Sequence, residues 1–340
     1  MKKPRTFRNV LIVRTDRVGD VVLTTPAIKA LRQAYPAARI SILVTPSTFD
    51  LVNGNPYLDE ILTDDRRGRN KGLFGFFRLV QQLRARRFDL AIIFHTKRRY
   101  NLACSLSAIE HRLGYRNNKF GFLLTNPLKD PRAMGRKHEA EYCMDVLKSI
   151  GIKSHDLDVF VPLQKEAETW VRAWMEENHL VGGEFVAIHP GSSDPAKCWP
   201  SANFARLIAD IAQRYPLKIV LVGSAEVAAV AAEILKLAPA GVNIVNMSGK
   251  TSLGQLASLL KRARLLISND SGPVHVCAGV GTSVISLFLR DQPGINPGRW
   301  KPLGAKGHIL CADGSGAIKV DDVLESVEQI LKKDSQYEIF

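Results

Sequence analysis

Three short stretches gather residue types that do chemistry. In RTDRVGD (14–20), Asp16 and Asp20 stand directly after the apolar run VLIV (10–13), with Gly19 between them. A carboxylate held at the end of a buried strand can take the proton of an attacking hydroxyl. Asp20 can equally cap a helix starting near Thr24 or Thr25, and residue type alone does not choose between these roles. In HPGSSDPAKCWP (189–200), Gly191, Ser192 and Ser193 offer backbone N–H and hydroxyl donors ahead of a helix, and Lys197 adds a point charge. That set suits a phosphate at a helix N-terminus. The plainer alternative is a strand-to-helix turn with Ser201 as cap. In SNDSGPVHVCAG (268–279), Asp270 ends a strand, Gly272 permits close backbone approach and Pro273 suits a first helical turn. His275 can donate to a phosphate or a sugar hydroxyl, or simply pack while Asp270 caps the helix.

The elements that must position these residues alternate along the chain. Strand patterns at 10–13, 39–44 and 88–94 are interleaved with helical patterns at 25–35, 74–87 and 137–152. A second series has strands at 184–191, 218–223, 243–249, 265–270 and 283–288. Its helices fall at 201–215, 225–238, 252–263, 272–281 and 322–333, with a further helical pattern at 165–179 joining the halves. Such alternation predicts an α/β protein with parallel sheets covered by helices. Two Rossmann-like domains facing a cleft are expected, at 1–163 and 164–320, with a terminal helix in 321–340 free to pack back on the first domain. All three chemical stretches then fall at the carboxyl ends of strands, where open α/β sheets bind ligands. GxGxxG after the first strand and a Walker A loop are both missing, which weakens a dinucleotide dehydrogenase or a P-loop enzyme.

Composition narrows the setting. The 340 residues suit two ordinary domains, and 46% hydrophobic with 24% charged residues is normal for a globular chain. No apolar run approaches the ~18–20 residues that cross a bilayer. The basic start, MKKPRTFRN, precedes an apolar run that stops at Arg14, so a cleaved leader is not expected. Five scattered cysteines without a CxxC pair argue against a disulfide framework or a structural zinc and point to a reducing, cytoplasmic setting. The net charge of +14 suits a polyanionic partner: nucleic acid, an anionic membrane surface or a phosphorylated substrate. No recognised nucleic-acid module is visible, so nucleic acid is not the expected partner.

Taken together, LIVRTDRVGDVVLTTPAIKALRQAYP, IHPGSSDPAKCWP, LVGSAE and ISNDSGPVHVCAGVGTSVISLF resemble glycosyltransferase family 9, in the same order over roughly residues 9–330. The resemblance implies a GT-B fold and an inverting transfer that needs no metal or other cofactor. It implies ADP-L-glycero-D-manno-heptose as donor and Kdo-lipid A or an already heptosylated core as acceptor, at the cytoplasmic face of the inner membrane. Asp20 matches the family's proposed general base, with Asp16 as the rival carboxylate. Ser192 and Ser193 match the hydroxyls on the diphosphate and Lys197 the lysine that neutralises it. Asp270, Gly272 and His275 match a D-[ST]-G-x-x-H motif near sugar and phosphates. Glu226 matches the residue that holds the ribose, and Thr251 to Leu253 fall where adenine packs.

The acceptor side falls to the first domain. DDRRGRNKG (64–72), KRRY (97–100) and GRKH (135–138) cluster cations, among them Arg66, Arg67, Arg69, Lys97 and Arg98. They read either as a solvated basic surface or as a site for phosphorylated lipid A and acidic sugars. His138 precedes a helix, with catalytic, acceptor-binding and structural roles all open. The apolar spacing of FGFFRLVQQL favours packing on the sheet over membrane contact. Competing functions are a transferase of this fold using another nucleotide sugar, and a nucleotide-sugar-binding protein without catalysis.

Overall fold

The computed structural model describes residues 6–304, 306–313 and 316–337. The chain divides into two compact units, 1–162 and 163–340. In chain order the first contains β1 (Asn9–Val13), α1 (Val18–Val22), α2 (Thr25–Ala34), β2 (Arg39–Val44), β3 (Glu60–Thr63), α3 (Gly72–Ala85), β4 (Leu90–Ile93), α4 (Arg98–Leu106), β5 (His111–Arg116), β6 (Asn126–Lys129) and α5 (Glu139–Lys148). The second opens with α6 (Lys165–Glu177), β7 (Phe185–His189), α7 (Ser201–Arg214), β8 (Lys218–Leu221), α8 (Ala228–Leu237) and β9 (Ile244–Asn246). It continues with α9 (Leu253–Arg262), β10 (Leu265–Asn269), α10 (Gly272–Gly279), β11 (Ser283–Phe288), α11 (Pro297–Trp300), β12 (Gly307–Cys311) and α12 (Val320–Tyr337).

Each unit holds one six-stranded parallel sheet, ordered β3-β2-β1-β4-β5-β6 in the first and β12-β11-β10-β7-β8-β9 in the second. The two orders are the same Rossmann order written in opposite directions. Strand direction of travel reverses between β1 and β4, and again between β7 and β10, so each sheet has a crevice beside its earliest strand. The central strands are continuous apolar runs because helices cover both faces. Val10, Leu11, Ile12 and Val13 of β1 are all buried, paired in register with Ile40 to Leu43 and Leu90 to Ile93.

Two of the helices begin at a capping box. Ser252 and Gln255 form a reciprocal capping box on α9, and His138 and Glu141 do the same on α5. On α7 the buried residues Phe204, Leu207, Ile208 and Ile211 recur at helical spacing and pack with Val186, Ile188 and Trp199. In the terminal helix, Val323, Leu324, Val327 and Ile330 of α12 belong to this same second-unit core, beside α7 and β11. Its apolar stripe is thereby used within the second unit. The last positions of that segment, 338–340, lie outside the described residues. Among the described residues no helix is long and apolar enough to cross a membrane.

Candidate active site

The crevice of the first sheet carries a cluster of carboxylates around one arginine. Arg14 follows β1 and is 1% exposed. Its Nη2 donates to Asp20 Oδ1 at 2.6 Å and to Glu139 Oε1 at 3.0 Å, while Nε donates to the Asp20 carbonyl at 3.1 Å. Nε also lies 3.2 Å from Asp16 Oδ1. Asp20 sits within the short α1 and caps no helix: Thr24 is the cap residue of α2, and the Asp20 carboxylate faces Arg14 instead. Burial pushes the Asp20 carboxyl up to about 7, against the pull of Arg14 and with help from Asp16 and Glu139. Burial raises Asp16 as well. A carboxylate that titrates near neutrality is suited to general-base work.

Cations surround this crevice unevenly. Lys97 precedes α4, and its ammonium pKa is lowered by burial and by the like charges of Arg66, Lys119 and Arg17, while Asp16 opposes the shift. Lys97 therefore lies near Asp16, and Arg66 and Lys119 lie near Lys97; nothing local in the sequence marks Lys119. Next to them, Thr15 Oγ1 is 2.9 Å from Nδ1 of His95, an imidazole held neutral by burial and by Lys97, Arg14 and Arg66. The loop bearing Arg66, Arg67 and Arg69 is built rather than slack. Buried Asp64 accepts from Arg99, Asn70 and Tyr100 at 2.8 to 3.1 Å. Asp65 accepts the backbone N–H groups of Arg67, Gly68 and Arg69. These contacts leave all three arginine side chains exposed.

Two other candidates stand at helix starts. Lys97 directly precedes α4, and Arg98, its first residue, lies over the Phe120 ring at 5.7 Å. His138 is buried, and its Nδ1 accepts from the Ala140 N–H as the cap of α5. The contact seen for His138 is thus structural, and the neighbouring Glu139 is the side chain that reaches the crevice.

The second crevice joins the loop after β7 to the end of β10. Lys197 Nζ forms a 2.5 Å ion pair with Asp270 Oδ2, and Ser192 Oγ donates to the Asp270 carbonyl at 3.4 Å. Buried Asn269 stitches the same two segments, donating to the Pro190 carbonyl at 2.7 Å and accepting from the Trp199 N–H at 3.0 Å. Below them His189 Nδ1 lies 3.2 Å from Ser268 Oγ and 3.1 Å from Ser271 Oγ; burial lowers this imidazole to about 4, so it is neutral. The backbone is tightly packed at two glycines. A Cβ at Gly191 would overlap Val227 Cγ2, and one at Gly223, whose φ is +148°, would meet the same atom at 2.9 Å.

Ser193 is exposed on the first of these loops, and Gly272 and His275 lie in the first two turns of α10, with His275 buried. Glu226 is exposed in a one-turn 3-10 helix after β8, while Thr251 and Leu253 are half-buried around the start of α9. The positions expected to hold a donor thus sit at the carboxyl ends of β7, β8, β9 and β10. Exposed donor groups and helix starts at strand ends can receive a diphosphate. Among the described residues no group of three or more His, Cys, Asp or Glu side chains is placed to hold a metal ion.

Two Rossmann-like units, each with polar side chains at its topological switch point, are the components of a GT-B-like fold. The fold is similar to that of the glycosyl transferase family 9 protein from Veillonella parvula DSM 2008, with TM-score 0.87, 23% identity and coverage of 96% of this chain and 98% of that one. It is also similar to Escherichia coli ADP-heptose lps heptosyltransferase II, with TM-score 0.80, 21% identity and coverage of 96% and 99%. The family model for glycosyltransferase family 9 (heptosyltransferase) matches residues 76–326, and this chain belongs to that family. It is a glycosyltransferase. Lipopolysaccharide heptosyltransferase 3 of Escherichia coli K12 is a relative 28% identical over 283 residues, 79% of either chain.

Proposed function

We propose that this enzyme transfers a heptose from ADP-L-glycero-D-manno-heptose to the lipopolysaccharide inner core, with Kdo-lipid A or a heptosylated core as acceptor. The observation that carries the reading is Asp20: a buried carboxylate in α1, the first helix after β1, held by Arg14 at 2.6 Å and with a pKa raised to about 7, which suits a base at neutral pH. In the step proposed, Asp20 takes the proton of the acceptor hydroxyl while that oxygen forms a bond to the anomeric carbon. The bond from that carbon to ADP breaks on the opposite face, so the configuration inverts. ADP leaves with its charge met by Lys197, the hydroxyls of Ser192 and Ser193, and the start of α10, without a metal. Gly272 gives the diphosphate backbone access there, and His275 donates to it or to the sugar. Glu226 holds the ribose hydroxyls, and the adenine packs on Thr251 and Leu253.

Arg66, Lys97 and Lys119 beside the crevice support an anionic acceptor, with Arg67, Arg69 and Arg98 farther out on the same loop and helix. The relatives named for lipopolysaccharide heptosyl transfer support the donor and acceptor classes. A lipid-linked acceptor also calls for peripheral contact with the cytoplasmic face of the inner membrane. The start of α3 supports that contact: Phe74 is 89% exposed and Leu73 68%, with Phe77 on the next turn. Arg66, Arg67, Arg69, Lys71 and Arg78 flank them, with no acid from 66 to 78. The opposite face of the helix, Phe76, Leu79, Val80 and Leu83, packs in the first-unit core.

A mass-resolved transfer assay tests the reading. ADP-heptose and other nucleotide sugars are offered with Kdo-lipid A and with heptosyl-Kdo-lipid A, each with and without EDTA. One heptose added to one acceptor, unaffected by EDTA, is expected. Transfer only from another nucleotide sugar, or only with added Mg²⁺ or Mn²⁺, would overturn it.

A further inference from the structure

One buried carboxylate in the first crevice has no part in the transfer step above. Glu139, the first residue of α5, is 1% exposed, and the His138–Glu141 capping box fixes the turn that carries it. Its Oε1 accepts at 3.0 Å from the same Arg14 Nη2 that donates to Asp20 at 2.6 Å. Arg14 Nε donates to the Asp20 carbonyl at 3.1 Å and lies 3.2 Å from Asp16 Oδ1, an ion-pair contact without a hydrogen bond. One guanidinium thus faces three carboxylates, a surplus of two negative charges if all were ionised. Like charges crowded in a poorly solvated site do not all ionise, so the cluster retains a proton.

Building on the reading of Asp20 as the base, we propose that Glu139 is a positioning residue for the transfer: it anchors Arg14 and shares its charge, leaving Asp20 oriented but still basic. The argument is electrostatic competition. A carboxylate paired alone with a buried arginine becomes a much weaker base, because the cation favours its ionised form. A carboxylate buried with no cation stays protonated and cannot accept the hydroxyl proton. Dividing one Arg14 nitrogen between Asp20 and Glu139 avoids both extremes. Other charges also face the cluster: Arg17 directly precedes α1, Lys97 acts on Asp16 from just before α4, and Arg132 lies near Glu139. Cys143, one turn along α5, is kept as a neutral thiol by burial. None of these shares a hydrogen-bonding nitrogen with Asp20 as Glu139 does.

The test compares the pH dependence of kcat/KM for heptosyl transfer in the wild type, Glu139→Gln and Glu139→Asp, with Asp20→Asn as reference. In Glu139→Gln the side-chain oxygen can still accept from Arg14, but the competing negative charge is gone, so Arg14 favours the ionised form of Asp20 more strongly. The acidic limb should move at least ~one pH unit lower and the plateau should fall several-fold to ~10-fold, with donor KM within about twofold. Glu139→Asp keeps the charge and should return the limb toward the wild-type position. A Glu139→Gln profile that merely scales down, with its acidic limb unmoved, assigns Glu139 a structural role and overturns the inference. Melting temperatures are measured on the same preparations. Should Glu139→Gln not fold, the double variant Arg14→Gln/Glu139→Gln removes both partners, and its acidic limb should rise above that of the wild type. A limb at the wild-type position there also overturns the inference. Full turnover in Asp20→Asn, by contrast, rejects Asp20 as the base and is a separate failure.

Discussion

Lys197 and Asp270 form a 2.5 Å ion pair that closes the second crevice between the loop after β7 and the end of β10. An incoming diphosphate therefore meets a cation already shared with a buried carboxylate. Lys197→Ala removes the charge-assisted contact and leaves Asp270 without this cation, facing the diphosphate as a like charge. ADP affinity should fall by about 1.5–3 kcal/mol. Lys197→Ala/Asp270→Asn should recover part of that loss, because the repulsion goes with the carboxylate. Calorimetric titration of ADP into all four proteins of the cycle reads both effects. Equal ADP affinity in Lys197→Ala and wild type would sink the assignment.

Asp20→Asn should lower kcat by ~10²–10⁴-fold, the usual contribution of a general base. Asn matches Asp in size and still accepts from Arg14, but it cannot take a proton. ADP binding should be unchanged, since its proposed ligands all belong to the second unit while Asp20 belongs to the first. The measurement is single-turnover transfer beside ADP calorimetry. Turnover near that of the wild type would move the base elsewhere, with Asp16 next in line.

The same substitution carries a stability signature. Asp20 has a folded pKa of about 7, above the ordinary carboxylate value of ~3.9. Between those values the folded state binds the extra proton, so the group's contribution is complete below the lower value and lost as pH rises through the upper one. Asn is neutral throughout. The melting temperature of Asp20→Asn relative to wild type should thus climb from pH ~5 to pH ~8. A difference that stays flat or falls over that window would contradict the raised pKa. Scanning calorimetry at constant ionic strength checks it.

At the start of α3, replacing Leu73, Phe74 and Phe77 together by Ser should reduce sedimentation with phosphatidylglycerol-rich vesicles by ~tenfold or more, since buried apolar area and cationic attraction both drive interfacial binding. Fold and ADP affinity should be retained, because Phe76, Leu79, Val80 and Leu83 carry the packing of that helix. Vesicle binding equal to that of the wild type would remove α3 from the membrane contact.

Much of the architecture was legible because parallel strands covered on both faces are written as unbroken apolar runs. VLIV, RISILV and SVISLF announce central strands almost to the residue. β5 (HRLGYR) and β6 (NPLK) carry no such run and went unrecognised; they lie toward one edge of the sheet, where little apolar surface is needed. β3, α4 and β12 were missed as well. The local motifs marked positions at the carboxyl ends of the strands, since a glycine or a cap at a strand end is a near-neighbour signal. What stayed hidden was tertiary. Nothing local to Arg14 says that Glu139, far along the chain, shares its guanidinium, nor that Lys197 is paired with Asp270. Asn269, which ties two loops by one amide, is as anonymous in the sequence as any other Asn.

The close packing of Gly191 and Gly223 on Val227 has a consequence for redesign. A Cβ at either position would require Val227 to shift, so the loop that carries Gly191, Ser192 and Ser193 is tightly packed at its glycine. Glu226, exposed on its single turn, and the half-buried Thr251 and Leu253 are under far less steric constraint. A library varied only at these three sites, proposed for the ribose and the adenine, would test nucleoside preference while leaving the tightly packed glycines in place.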